Sequence, residues 1–306
     1  MDNAIARRGI TRAARRGVLG PGVALGALGI LGFSFSLPAT RLAVADLDPW
    51  LVAFGRATVA AALAAIVLGA TRAPHPTRAQ ARSLVIVAAG VVVGFPLFTS
   101  LALETRTAAH GAVVIAFLPA ATAVAAVLRA GERPSRRFWL ASGAGLATVL
   151  AFVAGSEGAE IASSGPQPSD LYLLAGTALC AIGYAEGGTL SRTLGAAPTI
   201  CWALVLSAPV SAAVALTAAA TAGLHAGTTA WLGFAYVSVI SMFLGFFAWY
   251  AGLARGGVAR VGQVQLAQPV LTLGWSALLL GEQVTPVTVV TAVAVLASVA
   301  ATQRAR

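Results

Sequence analysis

Residues 118–132 read LPAATAVAAVLRAGE, and residues 268–282 read QPVLTLGWSALLLGE. With a shift of 150 positions and no gap, Pro119 falls on Pro269, Thr122 on Thr272, Leu128 on Leu278 and Gly131-Glu132 on Gly281-Glu282. Upstream, Leu103, Ala109 and Val114 fall on Leu253, Ala259 and Val264. Near the start of each half, Gly32-Phe33 and Arg41 match Gly183-Tyr184 and Arg192 at an offset of 151. The chain reads as two copies of one unit.

Both copies are apolar. Of the 306 residues, 58% are hydrophobic and only 10% charged, whereas a soluble domain carries about one quarter charge. Lipid is the solvent that fits. A spanning helix needs about 20 mainly apolar residues, and ten such runs occur: 18–37, 50–70, 83–103, 107–129, 136–155, 171–190, 198–222, 231–252, 258–280 and 284–302. The first is too long for a signal-peptide core and reads as a retained helix. Each half holds five runs, an odd number, so the second copy runs inverted relative to the first. The expectation is an all-α integral membrane protein with ten transmembrane helices as two inverted five-helix repeats. Its parts are a basic cytoplasmic N-terminus (1–17), repeat one (18–155), an outer linker rich in Gly, Ser, Pro and acid (156–170), repeat two (171–302) and a tail (303–306). Inverted repeats place a transporter's site near the midplane between the halves.

The net charge of +10 does not indicate nucleic acid, because all 20 basic residues are Arg and they lie between apolar runs. With the N-terminus inside, seventeen arginines face the cytoplasm, Arg41 and Arg106 face outward, and Arg56 is left within a span. This bias puts both termini in the cytoplasm of a bacterial cytoplasmic membrane, crossed many times. The absence of Lys fits a high-GC genome. Cys180 and Cys201 lie in apolar runs and read as core thiols ahead of a disulfide.

The pattern resembles the drug/metabolite transporter superfamily, specifically its EamA-type ten-helix members. The resemblance rests on Gly32-Phe33-Ser34-Phe35 in the first helix, Phe54-Gly55-Arg56 in the second, Gly131-Glu132 and Gly281-Glu282 at the repeat ends, and Gly143-x-Gly145-Leu146 in the fifth. Two departures leave subgroup and substrate open: the second half lacks an Arg at the start of helix seven, and Phe54 precedes Arg56. The resemblance implies two oppositely oriented four-helix bundles around a central cavity. It also implies a peripheral fifth helix in each repeat that supports a homodimer, and export of amino acids, metabolites or drugs.

Glu186, in Ala185-Glu186-Gly187-Gly188, is the sharpest candidate. An acid within a span is a functional-site hypothesis, and burial without a partner favours its neutral form, which suits reversible protonation. In the small multidrug pumps, which resemble single repeats of this superfamily, a first-helix Glu exchanges protons and cations. The other reading is a Glu near the inner boundary that caps a helix or pairs with Arg192. Tyr184 beside it and Phe35, its counterpart in repeat one, join the candidate set. Arg56 is read first as snorkelling to the outer interface toward Asp46 or Asp48; the alternative is a site for an anionic or carboxylate group. Gln265 and Gln268 are three apart on one face and either bind solute or bond between helices, as does nearby Gln263. Pro119 and Pro269 read as matched hinges or as tolerated kinks. Trp249 and Tyr250 read as interfacial belt residues ahead of cavity-wall residues. The pairs Gly22/Gly26 and Gly90/Gly94 read as close-packing positions.

Scattered His75, His110 and His225 give no metal spacing, neither Gly-x-Gly follows a soluble strand, and no cofactor or enzyme chemistry is expected. The leading expectation is a secondary transporter, a proton-coupled exporter of a small metabolite, amino acid or drug-like solute. A non-transporting scaffold or receptor and a lipid flippase are the rivals.

Overall fold

In lipid each backbone N–H and C=O must find its partner within the segment, so apolar sequence winds into helix. The structure is a computed structural model that describes residues 20–106, 108–164, 167–280 and 286–305. The arginines before Gly20, the pair Gly281-Glu282 and Arg306 lie outside the described residues.

Every regular element among the described residues is helical. In chain order these are α1 (Pro21–Val44), α2 (Pro49–Thr71), α3 (Arg78–Thr105), α4 (Ala108–Ile115), α5 (Leu118–Ala130) and α6 (Arg136–Ser164). They continue with α7 (Pro168–Leu194), α8 (Ala196–Ala222), α9 (Thr228–Gly256), α10 (Val258–Gly262), α11 (Gln268–Leu280) and α12 (Pro286–Arg304).

Six of these, α1, α2, α3, α7, α8 and α9, are long and apolar enough to cross a membrane. The runs expected as spans four and nine are broken instead. Ala116 and Phe117 separate α4 from α5, and a 3₁₀ turn, Gln263–Ala267, separates α10 from α11. Their prolines cause the restart: Pro119 and Pro269 stand in the first turn of α5 and α11, where a missing N–H costs nothing. The stretch expected as a linker, 156–170, carries helical winding among its described residues. Helix α6 continues to Ser164 and α7 begins at Pro168. The stretch Ser156–Ser164 has no proline and includes the helix formers Glu157, Ala159, Glu160 and Ala162, so its polarity does not end the helix.

The two halves interlock. Helix α1 packs along α9, α3 along α7, and α2 along α8. The first helix of each half thus lies on the third helix of the other. Small residues allow this approach, which in lipid gains from close packing rather than from water exclusion. A Cβ at Gly252 would sit 2.6 Å from the Gly26 nitrogen and 2.8 Å from the Gly22 oxygen, and one at Gly90 would sit 2.5 Å from the Leu179 oxygen. Irregular winding recurs as well: Ala88–Gly94 in α3 and Val237–Leu244 in α9 are π-helical and begin 149 positions apart.

Candidate solute-binding site

Helix α1 breaks its regular winding at Phe35, where φ is −93° and ψ is 1°. The carbonyls around the break are taken up by side chains of the second half. Tyr236 Oη donates to Gly32 O at 2.9 Å, Gln268 Nε2 to Phe33 O at 3.5 Å and Thr272 Oγ1 to Ser34 O at 2.7 Å. Trp275 Nε1 donates to Ser34 Oγ at 2.8 Å. Such replacement of backbone bonds is how membrane helices tolerate a break. It also turns polar atoms of α1 toward the centre.

Beside the break lies a chamber of about 30 Å³. Its polar wall is Ser36, Arg56, Cys180, Tyr184, Ser241 and Gln268, and its apolar wall includes Phe33, Phe95, Val91, Met242 and Phe246. Ser36 Oγ donates to Ser241 Oγ at 2.8 Å across the two halves. A smaller space of about 10 Å³ adjoins it, lined by Gln265, Gln268, Pro269 and Thr272. Leu37, Leu118 and Gln268 line both spaces. Together they hold a water or two, so passage of an organic solute requires the surrounding helices to move.

Arg56 does not snorkel. Its side chain is 3% exposed, lines the chamber, and has one long bond, from Nη1 to Thr40 Oγ1 at 3.4 Å. Its Nε has no partner, and it forms no ion pair among the described residues. The expected partners are engaged elsewhere. Asp48 caps α2 by accepting from the Trp50 and Leu51 N–H groups, and Asp46 accepts from Gly227 N–H at 2.9 Å. Each acid stabilises a helix N-terminus where its charge meets the dipole, which leaves the arginine to the interior.

Glu186 is absent from the chamber lining and has a partner, although not Arg192. Arg129 Nη2 and Nε donate to Glu186 Oε2 at 2.8 and 3.2 Å, with the Glu186 side chain 15% exposed. Arg192 instead meets Glu132 at 3.1 Å. Gly131, at φ +65°, turns the chain after α5. Glu132 there accepts from the Val258 and Ala259 N–H groups at 2.7 and 2.8 Å. One end of the molecule is thus tied by α5–α7 and α5–α10 links. At the other end Arg106 meets Asp170 at 3.0 Å. Asp170 and Glu186 stand on the same helix, about 24 Å apart by helical rise.

An aromatic cluster forms part of the chamber wall and continues behind it. Tyr184 and Trp249 have centroids 5.2 Å apart, and Phe246 and Tyr250 5.3 Å. Trp249 and Tyr250 are fully buried, so they are packing residues and not an interfacial belt. Tyr250 Oη reaches Gly183 O at 3.2 Å. Phe35 packs on Tyr236 and Trp275 rather than lining the chamber. Gln263 bonds Ser142 and Pro119 O, Gln265 reaches Thr122 at 3.4 Å and keeps a buried unpaired Oε1, and Gln268 alone among the three reaches the chamber. Both cysteines are free and buried. Sequence reading missed Ser36, Ser241 and Cys180 as lining residues. They stand on α1, α9 and α7, and only the packing of the two halves brings them to one wall.

Polar groups inside an apolar helical body, with charged pairs at both ends, are an arrangement that membrane transporters use. The profile of the EamA-like transporter family matches residues 20–154 and 167–303, and the chain belongs to that family. It is 46% identical over 280 residues, 91% of this chain and 96% of the relative, to the uncharacterized transporter YdeK of Bacillus subtilis (strain 168). A solved crystal structure shares the fold, with a TM-score of 0.71 at 17% identity over 92% of this chain and 98% of that one. The protein is a multi-pass membrane transporter.

Proposed function

We propose that the chain is a proton-coupled secondary exporter of a small metabolite, amino acid or drug-like solute, working by alternating access. In this reading ten spans form two inverted repeats, both termini face the cytoplasm of a bacterial cytoplasmic membrane, and the chamber beside Phe35 is the solute site. One observation carries it: a polar chamber between two ion-paired ends. Breaking the Arg129–Glu186 and Arg192–Glu132 pairs opens one side; breaking Arg106–Asp170 opens the other. The matched π segments and the reciprocal α1–α9 and α3–α7 packing support the repeat.

Glu186 is the proton-coupled group. Protonation removes the charge that holds Arg129, so a proton taken up there loosens α5 from α7. Arg192 and Glu132, which tie the same end, oppose the opening until that happens. The peripheral pair α6 and α12, joined by Ser298 Oγ donating to Ala141 O at 2.7 Å, is the surface proposed for a homodimer.

The test is reconstitution in proteoliposomes with an internal pH dye and a panel of anionic, neutral and cationic solutes. Solute-dependent proton flux supports the reading. Solute counterflow with no proton movement removes the coupling but keeps the transporter; no flux of either kind across the panel rejects both.

A further inference from the structure

We infer that the transported solute is a monoanion, a small organic carboxylate with an apolar or aromatic body, and that Arg56 pairs with its charge. The inference rests on the transporter reading and names its substrate class.

A guanidinium buried within a membrane-spanning helix is costly unless paired. Arg56 is 3% exposed, has an unpartnered Nε and makes a single 3.4 Å hydrogen bond. The acids whose side chains the structure describes are engaged elsewhere or exposed: Asp46 and Asp48 cap helices, Asp170, Glu132 and Glu186 sit in ion pairs, and Glu104 is exposed. The fork of Arg56 therefore faces the chamber with its charge uncompensated, and a carboxylate fits that fork bidentately.

The rest of the wall selects the remainder of the ligand. Ser36, Ser241 and Gln268 offer neutral hydrogen bonds, and Phe33, Phe246 and Tyr184 offer aromatic faces. The lining holds one positive charge and no negative one. An ammonium group would meet no carboxylate there, which disfavours a zwitterion or a cation against a simple carboxylate.

The experiment is equilibrium binding of labelled benzoate to the full chain in detergent. Hexanoate serves as the aliphatic counterpart, benzamide as the neutral isostere and benzylamine as the cation. Wild type is expected to favour benzoate or hexanoate over benzamide by on the order of 30-fold, the scale of a desolvated charge pair. Arg56→Gln should erase that ratio and Arg56→Lys should keep part of it. If Arg56→Gln fails to elute as a folded species, the wild-type ratio and Arg56→Lys carry the test. No binding of either carboxylate, equal binding of benzamide, preference for benzylamine, or an unchanged ratio in Arg56→Gln overturns the inference. Chloride competing as well as benzoate overturns its organic part. Counterflow in proteoliposomes separates the two readings. Counterflow of benzamide or benzylamine but not benzoate keeps the transporter and removes the anion site. Arg56-dependent benzoate binding without counterflow does the reverse.

Discussion

Glu132→Ala should destabilise the protein more than Arg192→Ala, although the two residues form one ion pair. Glu132 holds two orphan N–H groups at the start of α10, at 2.7 and 2.8 Å, as well as Arg192 at 3.1 Å. Losing the cap costs about 1 kcal/mol, and losing a negative charge at a helix N-terminus costs about 0.3–1 kcal/mol more. The Arg192 side chain is 41% exposed, so solvent screening limits the pair itself to about 0.5 kcal/mol. Glu132→Ala should therefore cost roughly 2 kcal/mol and Arg192→Ala about 0.5 kcal/mol. In a thermal melt of the purified protein, followed by tryptophan fluorescence, these correspond to roughly 4–8 °C and about 1–2 °C. Equal shifts, or a larger loss in Arg192→Ala, would refute the capping role and reduce Glu132 to a surface ion pair.

Glu186→Gln should abolish proton-driven transport while sparing downhill exchange, and Glu186→Asp should retain activity with a shifted pH profile; normal proton-coupled flux in a well-expressed Glu186→Gln protein excludes the coupling role. Gly252→Ala should lower the melting temperature sharply, because its methyl group would press on the backbone of Gly22 and Gly26 and overpacking costs about 1–3 kcal/mol; a wild-type melt would mean that α1 and α9 are not in close contact. Pro119→Ala and Pro269→Ala should leave the protein folded but slow counterflow, since each would allow the broken helix to run on through its restart. Wild-type rates in both single mutants and in the double mutant would remove the hinge reading.

The all-helical membrane class was readable from composition, because in lipid the helix satisfies its own backbone. Helix breaks were harder to read. Phe35 sits in an unbroken apolar run, and its irregular winding depends on Tyr236, Gln268 and Thr272, more than 200 positions away. Arg56 could be placed within a span, but its direction depended on where Asp46 and Asp48 were used: Asp48 caps its own helix, while Asp46 reaches Gly227 in the other half. The partner of Glu186 was misjudged for a related reason. Arg192 is near in sequence, while Arg129 arrives from α5 only once the halves interlock. Polar contacts between repeats leave no periodic trace in either one, whereas small residues spaced four apart do.

Native Cys180 tests alternating access most directly, because it lines the chamber and is buried. On a Cys201→Ser background, vesicles of each orientation are treated with a membrane-impermeant methanethiosulfonate, and modification of Cys180 is followed by mass spectrometry. The account predicts slow labelling from both faces, since each opening exposes the chamber to one side in turn. Cys180 that stays unmodified from both faces, in protein that carries out counterflow, would contradict the claim that solute passes through this chamber.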